Sequence, residues 1–132
     1  MLKLTKKIEY GLIALQYMQG KERNEVTSAK EVADNFNLPT SLVAKVLQQL
    51  AKNDIIVPIQ GASGGYKLDK PLESIKLNDF IEIIEGPVGL VECLNDPDCN
   101  HVRTCNIRSP IEKINNTIID LFSNMTIADI TK

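Results

Sequence analysis

At 132 residues and 14.7 kDa, 43% hydrophobic and 24% charged, the chain can bury a core of its own as one compact unit or two small lobes. That composition excludes a disordered chain, and no apolar run is long enough to suggest a membrane span. The net charge of −2 argues against a nucleic-acid binder on average, but residues 1–71 hold ten Lys and Arg against seven Asp and Glu, while residues 72–132 hold five against ten.

A mildly basic front half leaves room for a DNA-facing surface on one side. The opening MLKLTKKIEYGLIALQYM is basic and then apolar like a secretory signal, but Glu9 and Gln16 interrupt the run and no small-residue cleavage site follows. It reads as an amphipathic first helix, from Thr5 to about Gly20, of a mature cytoplasmic protein. Ile8, Leu12, Leu15 and Met18 recur at helical spacing, and Gly20 supplies a stop.

Ser28-Ala-Lys-Glu31 matches a capping box and opens a short second helix through Val32, Ala33 and Phe36. Asn37-Leu38-Pro39 ends it, because a residue before proline avoids the helical region. A third helix restarts at Thr40 or Ser41. It turns Leu42, Val43, Val46, Leu47 and Leu50 inward and Thr40, Ser41, Lys45, Gln48, Gln49 and Lys52 outward. Two helices joined by a short turn, with a polar outer face on the second, form the pattern of a helix-turn-helix.

The run Ile55 to Ile59 reads as a strand, with Pro58 suggesting an edge. GASGG then forces a turn, and Tyr66 to Leu68 is the return strand. A helix-turn-helix followed by a small hairpin is a winged helix. The rival reading of the glycines, a phosphate cradle, lacks the Lys-Ser/Thr of a P-loop and the dinucleotide fingerprint. Leu77 to Glu85 is a linking helix with Phe80, Ile81 and Ile84 buried, closed by Gly86-Pro87.

The next segment, CLNDPDCNHVRTC from Cys93 to Cys105, holds every cysteine of the chain, spaced C-x5-C-x5-C, and the only histidine, His101. Three thiols are an odd number for a disulfide framework. They are soft ligands suited to an iron-sulfur cluster or zinc, with one coordination position filled from elsewhere. Zinc ribbons usually pair cysteines as C-x2-C, which this spacing does not. The turn-forming Asn95 to Asp98 lets Cys93 and Cys99 approach. Incidental thiols or a regulatory disulfide are the plainer alternative.

Ser109-Pro-Ile-Glu112 reads as a second capping box with proline at the first helical position. In the helix that follows, Ile111, Ile114, Ile118, Leu121 and Met125 form a heptad seam widened by Ile119 and Phe122. It spans about two heptads, so back-packing on its own domain competes with a symmetric dimer. The dimer is favoured, because two winged helices about a two-fold axis would read the half-sites of a palindrome in double-stranded DNA. The expected fold is mainly α with a small β-hairpin wing. It divides into a winged helix-turn-helix over residues 1–71 and a linking helix, cysteine loop and dimerisation helix over 72–132. No nucleophile-base pair, HExxH or catalytic carboxylate pair stands out, so neither an enzyme nor a small-molecule substrate is expected. A small electron carrier would need neither wing nor seam.

Taken together these motifs resemble the Rrf2 family of bacterial transcription regulators, the group containing IscR, NsrR and RirA. The matching pieces are Leu4-Thr-Lys6 with Tyr10, Val43-Ala-Lys-Val-Leu47, GASGGYKL from Gly61 to Leu68, Ile84-Glu-Gly86-Pro87, the three cysteines and Met125-Thr-Ile-Ala-Asp129. They run in order over nearly the whole chain. The resemblance implies a homodimeric repressor or activator whose DNA affinity depends on an iron-sulfur cluster held by Cys93, Cys99 and Cys105. IscR-like members place a histidine three residues after the last cysteine, where this chain has Arg108. NsrR-like members take a carboxylate from the partner's first helix, and Glu9 stands in the matching place. The resemblance therefore leans to an NsrR-like 4Fe-4S sensor of nitric oxide, with iron or redox sensing, a 2Fe-2S cluster and His101 as ligand held as alternatives. A zinc or thiol-disulfide switch on the same fold is the runner-up.

Base contacts are expected from Thr40, Ser41 and Gln48, and phosphate contacts from Lys6, Lys7, Lys45 and Lys52. From the wing, Gln60, Ser63, Tyr66 and Lys67 are expected to reach DNA. Gln60 replaces the arginine common in the family before the first wing glycine, so minor-groove readout would be weaker or carried by Lys67.

Overall fold

The structure, a computed structural model, describes residues 5–22, 25–62, 64–86 and 108–131, with only the backbone of Arg108. The first helix, α1, runs Lys6–Gln19, with Thr5 as its N-cap accepting from the Ile8 N–H at 3.4 Å and Gly20 closing it. Its buried residues are Ile8, Gly11, Ala14, Leu15 and Met18, so Gly11 takes the inward position for which Leu12 was expected, and Leu12 is half-buried. The reason is contact: a Cβ on Gly11 would sit 2.7 Å from Phe80 Cζ, closer than packed atoms allow, and a tight 3.2 Å from Val46 Cγ1.

The second helix, α2 (Ala29–Phe36), starts with the serine half of its capping box, the Glu31 N–H donating to Ser28 Oγ at 3.0 Å, while the Glu31 carboxylate turns to Tyr17 and Lys21 instead of answering the Ser28 N–H. It stops at Asn37, whose φ of 54° is a left-handed conformation that asparagine tolerates better than most residues. The recognition-type helix α3 (Thr40–Lys52) buries Val43, Val46, Leu47 and Leu50, while Leu42 is half-buried. No side-chain oxygen caps its start, which falls at Pro39. Strands β1 (Ile56–Ile59) and β2 (Gly65–Leu68) pair antiparallel, Ile56 opposite Leu68 and Ile59 opposite Gly65. Thr27 adds a single bridge to Tyr66, which ties the start of α2 to the wing.

A short 3-10 turn at Leu72–Ser74 leads to α4 (Leu77–Glu85), where Phe80, Ile81 and Ile84 are buried as expected. The long helix α5 runs Arg108–Ser123. It begins before Ser109, so Ser109 lies in the first turn and is not the N-cap. Pro110 still fits, because the first four N–H groups of a helix have no intrahelical acceptor. Met125 lies past the end of α5, in the link to α6 (Ile127–Thr131).

That link closes back on the start of α4. The Leu77 N–H donates to Met125 O at 2.9 Å, the Ile127 N–H to Ile75 O at 2.9 Å, and Lys76 bridges Thr126. The common core therefore draws on α1, α2, α3, β1, α4 and α6, from Ile8 to Ala128, around Leu15, Leu47, Leu50 and Phe80. No described helix is long and apolar enough to cross a membrane.

Candidate nucleic-acid interface

The face of α3 opposite its buried stripe carries Thr40, Ser41, Lys45, Gln48 and Lys52, all exposed. The cause is the period of the sequence: Val43, Val46, Leu47 and Leu50 take the core, so residues half a turn away must face water. Packing of α2 and α1 behind α3 holds this face outward. Thr40 and Ser41 stand at the start of the helix and Lys52 at its end.

A cleft of about 310 Å³ beside α3 is lined by Lys7 of α1 with Lys45, Gln48, Gln49 and Lys52. Three lysines expected to meet phosphates thus share one cleft, although Lys7 is remote from the others in sequence. Lys6 is not among them, since its ammonium faces Glu9 at 3.3 Å. Among the described residues no carboxylate pairs with Lys7, Lys45 or Lys52. Gln49 is the residue that sequence reading left without a role. Its side-chain oxygen is shielded from water and meets no donor. Its spacing from Lys45 and Lys52 was the available signal, since i+4 and i−3 neighbours share one side of a helix.

On the wing, Gln60 is exposed in the turn, while Tyr66 and Lys67 on β2 are half-buried. Lys67 lines a separate cleft of about 340 Å³ with Lys21, Lys70, Glu22 and Glu25, between the wing and the end of α1, and so lies apart from the lysines of α3. Ser63 lies outside the described residues.

A polar cluster sets α2 against α1. Tyr17 donates its hydroxyl to the Glu31 carboxylate at 2.5 Å, Lys21 pairs with the same carboxylate, and the Lys21 ammonium stands 5.1 Å from the Tyr17 ring centre. Phe36 meets the Tyr17 ring edge-on at 5.8 Å and is otherwise exposed. The hydrogen bonds from Lys21 and then Tyr17 hold the Glu31 carboxyl below its ordinary range. The reciprocal bond to Glu31 holds the Tyr17 phenol above its own. This cluster was not foreseen, because Tyr17 and Lys21 read only as the end of a helix.

Cys93, Cys99, Cys105 and His101 lie outside the described residues. Glu9 is exposed in the first turn of α1, paired with Lys6. Among the described residues no group of three or more His, Cys, Asp or Glu side chains could hold a metal ion. Thr5, which caps α1, also donates to Glu85 Oε1 at 2.6 Å, so the start of α1 is joined to the end of α4.

Of the expected seam, Ile114 and Leu121 are 54% and 56% exposed, with Ile111 and Ile118 partly covered. Phe122 and Met125 pack instead on the chain's own core, and Asn115 is buried beside them on the inward side of α5.

The Rrf2 family model, described as an iron-dependent transcriptional regulator, matches residues 4–132. CymR (YrzC), the global cysteine regulator of B. subtilis, is similar at 27% identity over 99% of this chain and 97% of that one, with a TM-score of 0.74. CymR of Staphylococcus aureus is 25% identical over 97% of both chains, with a TM-score of 0.71. IscR of T. potens is 24% identical over 98% of this chain and 85% of that one at a TM-score of 0.72, a likeness of fold.

Proposed function

The chain belongs to the Rrf2 family of DNA-binding transcription regulators, and from that membership we propose a homodimeric, cytoplasmic regulator whose operator affinity is controlled by an iron-sulfur cluster. Cys93, Cys99 and Cys105 would hold the cluster, with Glu9 of the partner as fourth ligand. The observation that carries the DNA-binding part is the exposed polar stripe of α3, flanked by lysines that no carboxylate among the described residues neutralises. The donor set supports the cluster: three soft thiols leave one position for a harder ligand. An exposed carboxylate such as Glu9 is free to turn away from its weak surface partner Lys6, because such pairs contribute little. Exposure of the cluster would suit sensing of nitric oxide, iron or redox state better than permanent electron transfer.

In this reading Thr40, Ser41 and Gln48 read base edges in the major groove. Lys45, Lys52, Lys7 and Lys6 contact phosphates, and Gln60, Ser63, Tyr66 and Lys67 of the wing touch the adjacent backbone or minor groove. Losing the cluster would alter the segment that precedes the dimer helix and change the separation of the two recognition helices, at a cost in operator affinity. The likeness to the global cysteine regulator of B. subtilis favours a second reading, in which the same thiols form a zinc or thiol-disulfide switch.

Protein purified without oxygen decides between the two. Iron and acid-labile sulfide near ~4 per subunit, with an absorption band bleached by nitric oxide, support a 4Fe-4S sensor. About two of each point to a 2Fe-2S cluster and to His101. Colourless, iron-free protein leaves the second reading. Equal affinities of cluster-loaded and cluster-free protein for a duplex selected from a random pool would refute control by the cluster.

A further inference from the structure

The cleft between α1 and α3 is lined by three lysines, and among the described residues no carboxylate lines it or pairs with them. Like charges held together repel, and a compact anion seated among them relieves that repulsion. The same cleft is walled by Gln49, whose carboxamide oxygen is buried without a donor. With that oxygen shielded from water, the carboxamide NH2 is the polar end left to donate to an anion in the cleft.

Resting on the regulator reading above, we infer that this cleft is a seat for a single backbone phosphate of the duplex. Lys7, Lys45 and Lys52 share that phosphate, and the Gln49 carboxamide is its neutral donor. At about 100° per residue, Gln49 lies roughly a quarter turn around α3 from Gln48. The crest of the polar stripe, Ser41 and Gln48, faces bases, and the seat lies on its flank with α1 as the opposite wall. A DNA strand bordering the groove that holds a recognition helix passes along such a flank. Lys6 has no part in the seat, since it faces Glu9.

Three lysines on one phosphate and three lysines on three phosphates differ in salt dependence. Each phosphate neutralised contributes about 0.9 to the slope of log affinity against log salt. Replacing Lys7, Lys45 and Lys52 together by alanine in both subunits of a dimer should flatten the slope by about 1.8 if each trio shares one phosphate, and by roughly 5.4 if each lysine holds its own. The assay is fluorescence anisotropy with a labelled random-sequence duplex of about 25 base pairs from 50 to 300 mM salt, on the full-length dimer, for the wild type, each single variant and the triple variant. A loss of about 1.8 for the triple variant, with smaller losses for the singles, is expected. Gln49→Glu, which puts a carboxylate in the seat, should weaken binding more than about tenfold at 0.1 M salt, and Gln49→Met about threefold, both with unchanged thermal melting. A triple-variant loss of about 5.4, or wild-type affinity in both Gln49 variants, overturns the seat. Wild-type protein that binds neither this duplex nor a selected operator overturns the regulator reading itself, a different result from a bound duplex with an additive slope.

Discussion

Gly11→Ala tests how tightly the DNA-binding helices are joined to α4. The new Cβ would stand 2.7 Å from Phe80 Cζ, 3.0 Å from Ile84 Cδ1 and 3.2 Å from Val46 Cγ1. None of these neighbours can swing into water, since Phe80 is 0%, Ile84 5% and Val46 1% exposed. Overfilling a packed junction costs about 1–3 kcal/mol. Alanine is a better helix former than glycine by roughly 0.5–1 kcal/mol, which offsets part of that. The expected net loss is about 0.5–2 kcal/mol, a fall in melting temperature of roughly 2–8 °C for a chain of this size. Urea titration followed by circular dichroism reads it directly. A variant more stable than the wild type by the helix-propensity gain alone would mean that α1 does not meet α3 and α4 as closely as described.

Two further perturbations address other parts of the molecule. Glu31 is held below its ordinary range, so its contribution to stability is complete above the unfolded glutamate value of about 4.3 and is lost as pH falls through the lower folded value. Urea midpoints of Glu31→Gln should therefore change less than the wild type's between about pH 6 and pH 3 and converge with them at the acid end, and parallel curves would refute the coupling. On α5, Ile114→Glu with Leu121→Glu should leave the fold within about 0.5 kcal/mol of the wild type, because both positions face outward in the single chain. The same pair should raise the dimer dissociation constant by at least about 100-fold in sedimentation equilibrium, since buried unpaired carboxylates are costly. An undiminished dimer would remove these residues from the interface.

The sequence made the helix-turn-helix and wing legible because their signals are local. Ser28, Asn37 before Leu38-Pro39, and GASGG act within a few residues, and the structure puts a helix start, a helix end and the turn between β1 and β2 there. Gly11 escaped because a residue without a side chain carries no hydrophobic signal, and its burial is dictated by Phe80, far along the chain. The Tyr17-Lys21-Glu31 cluster and the Thr5 to Glu85 bond escaped for the same reason: each joins elements that only the fold brings together. The α5 stripe shows the limit of periodicity. Its three-four spacing predicted one apolar seam, but Phe122 and Met125 turn to the chain's own core while Ile114 and Leu121 do not. Spacing alone cannot tell which neighbour an apolar face will meet. The lysines of the interface were legible as charges, whereas their convergence on one cleft depends on the approach of α1 to α3.

The closure of residues 75–77 onto 125–127 bears on the ligand proposed for Cys93, Cys99 and Cys105. Helices α4 and α5 leave that clasp packed against each other, so Gly86 and Arg108 belong to one packed frame. Gathering the ends of a free loop of the length between them costs about 3 kcal/mol in chain entropy, roughly two decades in a binding constant. Packing of α4 on α5 supplies part of that closure during folding. On the proposed reading, a lesion at the clasp would therefore surface as weakened capture of the ligand.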